Sequence, residues 1–363
     1  MTESVMVVFD NTKSGQSLFI SVNRADGPWL TLNSKNPVWQ YNFDNTCQIE
    51  VASGSNYIFP FIEYSSGVGA RLFVSQQAIT GAPNLTTAQF VFDKIEMGWN
   101  AIWNQTSVDF LGIPMQIQVN DSPPYGFKDT ASRDVVLQGL MNVTAPYNTF
   151  VYPVGANSPQ SIYRMFSPGQ ASSMGAPPWG YQLNNCLSQA INLGLAALNG
   201  YQGPFNYGGF VMTNFKQLSS TSISLSVNGE TITLTNVTTD GALACTIASS
   251  PNDAAGQKAA GLIGAVINRG VLYNPALWGQ NVPPNSGYPI NYYVQAANNA
   301  NQFNYYAQFL HSMSLDGLCY AMPYDDFFEQ DAAMTVSAGA KVRITPLSLL
   351  YAMSTKELMA RTT

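Results

Sequence analysis

Short runs rich in Val, Ile and Phe recur through the first third of the chain: MVVFDN, SLFISV, YIFPFI, RLFVSQ and QFVFDKIEM. Clusters of Gly, Asn, Ser or Pro separate them. Branched and aromatic side chains suit a pleated surface, so these runs predict strands. Many short strands with little helix between them predict a sandwich or barrel. IPMQIQV then alternates apolar and polar, as a half-buried strand does. The texture changes at NDSPPYGF, a turn-rich stretch that predicts a domain boundary near residue 120.

Beyond that point the apolar spacing turns helical. NNCLSQAINLGLAALNG ends on Gly200, and NDAAGQKAAGLIGAVINRG opens on an Asn-Asp cap and stops at Gly270. AANNANQFNYYAQFLHSM puts Phe303, Tyr306, Leu310 and Met313 on one stripe. Between the first two helices, SISLSVNGETITLTNV alternates around Asn228-Gly229, a hairpin turn signal. KVRITPL returns to β character, and Ser354 through Glu357 forms a capping box for a last helix. The pattern therefore predicts mixed β and α/β architecture. Residues 1–120, joined by a strand from about 335–350, form a β-rich domain. Residues 121–334 form an α/β domain, and 351–363 a terminal helix or tail.

Composition narrows the chemistry. Only 10% of the 363 residues are charged while 46% are apolar, so Asn, Gln, Ser, Thr, Tyr and Gly must supply the polar surface. Such a surface suits neutral polar ligands such as glycans, which stack on rings and exchange amide and hydroxyl hydrogen bonds. With 15 basic against 21 acidic residues, nothing marks a nucleic-acid or anionic-membrane partner. Apolar stretches such as Ala259 to Ile267 are about half a bilayer span. The start, MTESVMVVFD, has no basic segment followed by an apolar run, so no signal peptide is read there. Four cysteines (Cys47, Cys186, Cys245, Cys319) lack metal-type spacing, and their three possible full pairings stay open.

The single histidine, His311, excludes HExxH zinc sites and two-histidine metal triads within one chain. The sequence has no GxSxG elbow, no GxxxxGK[ST] phosphate loop and no GxGxxG after a strand. The expectation is an enzyme without metal or cofactor, which leaves carboxylate chemistry. In residues 90–119, FVFDKIEMGWNAIWNQTSVDFLGIPMQIQV, two strands flank a polar, Trp-bearing connection. Folded between Ile102 and Trp103, the hairpin sets Glu96 opposite Asp109 on one face. Glycoside hydrolysis needs such a pair, one carboxyl protonating the leaving oxygen and the other acting from the opposite side. A tight hairpin would hold an inverting pair too close, so the connection must splay or the strands are not direct neighbours.

Several segments in this order resemble glycoside hydrolase family 64, the laminaripentaose-producing β-1,3-glucanases, related in fold to thaumatin-like proteins. They are GARLFVSQ at 69–76, FDKIE ending at Glu96, SVDFLGIPM at 107–115, AVINRGV, and YAQFLHSMSLDGLCYAMPYDDFFEQ at 306–330, the most specific. The resemblance implies a thaumatin-like β-sandwich or barrel domain and an α/β domain flanking a wide groove for a β-1,3-glucan strand. It implies an inverting, secreted, monomeric hydrolase releasing short oligosaccharides, with Glu96 as acid and Asp109 as base. Asn100, Trp103 and Thr106 match its sugar-contacting positions, and Tyr324 and Asp325 line the groove. The segment between the two acids is shorter than in the family, and Gly98 stands where the family has a hydroxyl residue. The alternative is a thaumatin-like glucan-binding or antifungal protein without turnover.

Other residues have blander readings beside the functional one. His311 reads as a structural histidine bonded to a backbone carbonyl. Asp325, Asp326, Glu329 and Asp331 lack the glycine and ligand order of a calcium loop, so a hydrogen-bonded turn is expected. Trp179 and Trp278 lie in Pro/Gly-rich loops, where an exposed indole stacks on sugar and a buried one serves the core.

Overall fold

The computed structural model describes residues 5–24, 29–32, 39–41, 48–61, 70–79, 83–98, 101–174, 183, 185–278, 302–323, 325 and 333–349. Two sheets enclose the core formed largely by the first third of the chain. One runs in the order Tyr125–Gly126, Met115–Val119, Lys341–Pro346, Val5–Asp10, Asn56–Phe61. The other runs Met334–Val336, Ala101–Gln105, Phe92–Met97, Ala70–Ser75, Leu18–Arg24, Trp29–Leu32, Trp39–Tyr41, and Gln48–Val51 also pairs with Leu18–Arg24. Val5, Val7 and Phe9 from the first sheet meet Ile20, Val22, Leu72, Val74 and Ile95 from the second in one apolar cluster. Alternation places these residues inward because successive strand side chains point to opposite faces.

The late KVRITPL segment forms the Lys341–Pro346 strand, parallel to Val5–Asp10 and antiparallel to Met115–Val119. Val342 and Ile344 are fully buried in the first core. A second, larger cluster gathers the helices Arg133–Met141, Ser188–Leu198, Ala254–Asn268 and Tyr305–Met313 around an antiparallel meander. That meander is Phe205–Tyr207, Phe210–Ser219, Ser222–Val227, Glu230–Thr235 and Ala248–Ser250. Its pairings are all antiparallel, so helices and strands here are not interleaved as βαβ units. Two-residue turns force that direction in the first three pairings, while the longer connection through the Thr239–Leu243 helix joins the last two strands. At Asn228 and Gly229 both φ angles are positive (50° and 91°), as the expected primed turn requires.

The helix expectations hold in their interiors. Asp253 caps Ala254–Asn268 by accepting from the Gly256 N–H, and Asn304 caps Tyr305–Met313 by accepting from Ala307. Phe303, Tyr306 and Leu310 bury as the stripe predicted, while the residues before Gln302 on that helix pattern lie outside those described. The Ser354 capping box lies outside them too. Among the described residues no helix is long and apolar enough to cross a membrane.

Candidate active site

The Phe92–Met97 strand serves both sides of its sheet. Ile95 and Met97 face the sandwich core, so Lys94 and Glu96 must share the opposite face. On that face Arg71 sits beside Glu96 from one neighbouring strand, and Asn104 from the other. Thr106 continues the face two residues beyond Asn104, bridging to Tyr320.

Lys94 joins the two expected acids. Its ammonium lies 3.3 Å from Glu96 Oε1 and 2.5 Å from Asp109 Oδ2, and its side chain is only 7% exposed. Arg71 Nε adds a second cation 3.6 Å from Glu96 Oε1. The carboxylates themselves are reachable, at 37% and 38% exposure. One oxygen of each is anchored to a cation. Glu96 Oε2 and Asp109 Oδ1 have no hydrogen-bond partner among the described residues. Asn104, nine-tenths buried, also keeps its Oδ1 without a partner.

Asp109 owes its place to a pinned loop. Buried Asp93 accepts the N–H groups of Gly112 and Ile113 on Oδ2, at 2.8 and 2.9 Å, and that of Lys94 on Oδ1. Gln105 donates to the same carboxylate at 3.3 Å. Burial pushes the Asp93 carboxyl up to about 7, although these donors and the Lys94 charge pull it down. Arg133 Nε donates to the Gly112 carbonyl from the other side at 2.8 Å. Desolvation lowers that guanidinium to about 10, against the pull of Asp134 and Asp93. A Cβ on Gly112 would sit 2.0 Å from the Phe92 carbonyl oxygen, so only glycine lets the loop approach the strand this closely. Upstream, Tyr306 OH donates to the Ser107 carbonyl, and Ser107 N–H donates to Tyr320 O. Ser167 N–H donates to the Asp109 carbonyl, and Phe110 pairs with Phe166. Both clusters thus hold the segment that carries the second acid.

The structure corrects the hairpin register. Glu96 pairs with Asn104, five residues before the expected partner Asp109. Asp109 lies beyond the hairpin, at the end of a non-strand segment, and among the described residues Lys94 links it to Glu96. Trp103 is also placed differently from a sugar-stacking residue. It pairs with Met97 on the core face, is fully buried, and donates its indole N–H to the Gly98 carbonyl at 2.7 Å. Ile102, its neighbour, is 51% exposed instead, since a one-residue offset reverses the face. Thr106 is on the acid face but nearly buried.

Asp325 does not line an open surface. It is fully buried, accepts from the Ala321 and Met322 N–H groups on Oδ2, and faces His311 Nε2 at 3.3 Å. Arg269 approaches the same carboxylate at 4.0 Å, and His311 Nδ1 meets the Gly317 carbonyl at 2.8 Å. This is a structural histidine and a structural turn. Trp278 is buried against Phe205 and Phe215, with its N–H on the Val271 carbonyl. Asn100, Trp179, Tyr324, Asp326, Glu329 and Asp331 lie outside the described residues. Lys94, Arg71 and Asp93 were not singled out from sequence, although Lys94 lies two residues before Glu96 on a strand, a spacing that shares a face.

Comparison with known proteins identifies the family and the fold. A family model described as Beta-1,3-glucanase, of glycoside hydrolase family 64, matches residues 4–346. A family 64 β-1,3-glucanase domain from Clostridium beijerinckii superposes with a TM-score of 0.64 at 18% identity, covering 95% of this chain and 98% of that one. A laminaripentaose-producing β-1,3-glucanase solved with laminaritetraose gives 0.66 at 16% identity, over 96% and 99%. The family 64 enzyme from Paenibacillus barengoltzii solved with laminarihexaose gives 0.57 at 19% identity, over 94% and 75%. At these identities the likeness shows a shared fold. No curated protein sequence matches the chain.

Proposed function

Because the chain belongs to glycoside hydrolase family 64, the β-1,3-glucanases, we propose that it hydrolyses β-1,3-glucan with Glu96 as general acid and Asp109 as general base. The observation that carries this reading is the pair itself: two half-exposed carboxyls, each anchored through one oxygen and open at the other. Glu96 Oε2 delivers the proton to the leaving glycosidic oxygen. Asp109 Oδ1 draws a proton from the water that attacks the anomeric carbon from the opposite side, so configuration inverts. Asn100 and Tyr324 are the proposed sugar contacts, with buried Thr106 supporting the acid face and Trp103 the core side of the strand. The oligosaccharide-bound relatives support short laminari-oligosaccharides as products. The same reading has the chain acting outside the cell as a monomer, without metal or cofactor.

The shared ammonium is also compatible with a second mechanism. The anchored oxygens share one ammonium, so they stand less than about 6 Å apart. A retaining pair sits at roughly 5–5.5 Å and an inverting pair at roughly 6.5–9.5 Å between carboxyl groups. Retention would make Asp109 a nucleophile. Incubation with laminarin or curdlan, followed by reducing-end assay, product sizing and NMR of the first-formed anomer, decides. The α-anomer supports inversion, and the β-anomer replaces it with retention. Glucan binding without new reducing ends would leave the non-catalytic binder.

A further inference from the structure

We infer that Lys94 is a positioning residue for catalysis, acting through Glu96 and Asp109 rather than on the sugar; the inference rests on the glucanase reading above. An ammonium on a strand face is ordinarily solvated, because burying its charge is costly unless partners compensate it. Here the side chain is almost wholly covered, and the partners at hydrogen-bond distance are the two acids. They come from different parts of the chain: Glu96 from the same strand, Asp109 from a loop fifteen residues after Lys94. No backbone pairing joins Asp109 to Glu96, because Glu96 faces Asn104 across the hairpin. The ammonium is therefore the direct link that sets their separation.

The same link selects which oxygens work. Lys94 holds Asp109 by Oδ2 and Glu96 by Oε1, which leaves Oδ1 and Oε2, unpartnered among the described residues, for water and glycosidic oxygen. Lys94 is itself held. Its backbone N–H donates to Asp93, whose other oxygen secures Gly112 and Ile113 beyond Asp109. One buried carboxylate thus ties together the lysine's strand and the loop that carries the base. Arg71 reaches Glu96 but no described contact takes it to Asp109, so it cannot replace the bridge.

The test compares wild type with Lys94→Met, Lys94→Arg and Lys94→Ala on laminarin, with thermal melting and laminari-oligosaccharide affinity measured on each. A reacting group displaced by about 1 Å costs on the order of 10²-fold. Lys94→Met should therefore lose about that much in kcat, with KM and oligosaccharide affinity within a few-fold. Lys94→Arg should recover part of the rate, because a guanidinium can also span two carboxylates. Ethylammonium added to Lys94→Ala should raise its kcat in a saturable way. A merely structural lysine would lower the melting temperature without amine rescue, and the activity per folded molecule would be unchanged. An active wild type with an equally active, folded Lys94→Met overturns this inference alone, as does a loss confined to KM. Should Lys94→Met fail to fold, the Arg and amine-rescue arms decide. A wild type inert on laminarin overturns the glucanase reading and, with it, this inference.

Discussion

At the scale of the residue, Glu96 and Asp109 differ from buried Asp93 and Asp325 by being half exposed while joined to one buried ammonium. Asp93 and Asp325 are buried and spend their oxygens largely on backbone N–H groups, whereas each proposed catalytic carboxyl keeps one oxygen without a partner among the described residues. Glu96→Gln and Asp109→Asn should each lower kcat by about 10²–10⁴-fold, the usual worth of general acid or base assistance. Oligosaccharide affinity, measured by titration calorimetry, should stay within a few-fold, because an amide keeps the volume. Asp109→Asn should also lower the melting temperature, since it removes a charged partner from a buried ammonium. Trp103 belongs to stability instead. Replacing this fully buried ring by alanine should cost about 3–5 kcal/mol in denaturant unfolding, through lost burial and a cavity.

At the scale of the element, the loop from Ser107 to Ile113 is held by groups from both apolar clusters, and Asp93 is its central tie. Folded Asp93 sits near 7, above the 3.8 of an ordinary aspartate, because desolvation outweighs its donors. Between those values the folded chain holds a proton that the unfolded chain has released. Its contribution to stability is therefore full below about pH 4 and is lost as pH rises through the folded value. Asp93→Asn removes this titration, so melting temperature against pH should flatten over that window when both proteins are scanned by calorimetry. Gly112→Ala tests the close approach of loop and strand. The added methyl would meet the Phe92 carbonyl, so a destabilisation of about 1–3 kcal/mol is expected, with kcat falling further than the folded fraction explains.

At the scale of the whole molecule, the first sandwich depends on the far end of the described chain. Lys341–Pro346 fills the gap between Val5–Asp10 and Met115–Val119, so a chain ending at residue 333 would leave those two strand edges and that of Ala101–Gln105 unpaired and the core open. Such a truncation should lose its cooperative melt in circular dichroism. Local pattern was enough to read strands in the first third, the Asn228-Gly229 turn, and the helices capped at Asp253 and Asn304, because those depend on neighbours along the chain. KVRITPL was legible as a strand for the same reason. The segments that carry the family resemblance were legible as well. What sequence could not decide was how residues distant in the chain meet. Glu96 faces Asn104 rather than Asp109, and this odd offset of five residues put Trp103 on the core face, since the side-chain period of a strand is two. Asp325 likewise became a buried turn acid through folding around His311 and Arg269. The bond from Lys94 to Asp109 depends on the Asp93 and Arg133 ties that bring the loop back, and those contacts exist only once the sheets and helices have packed.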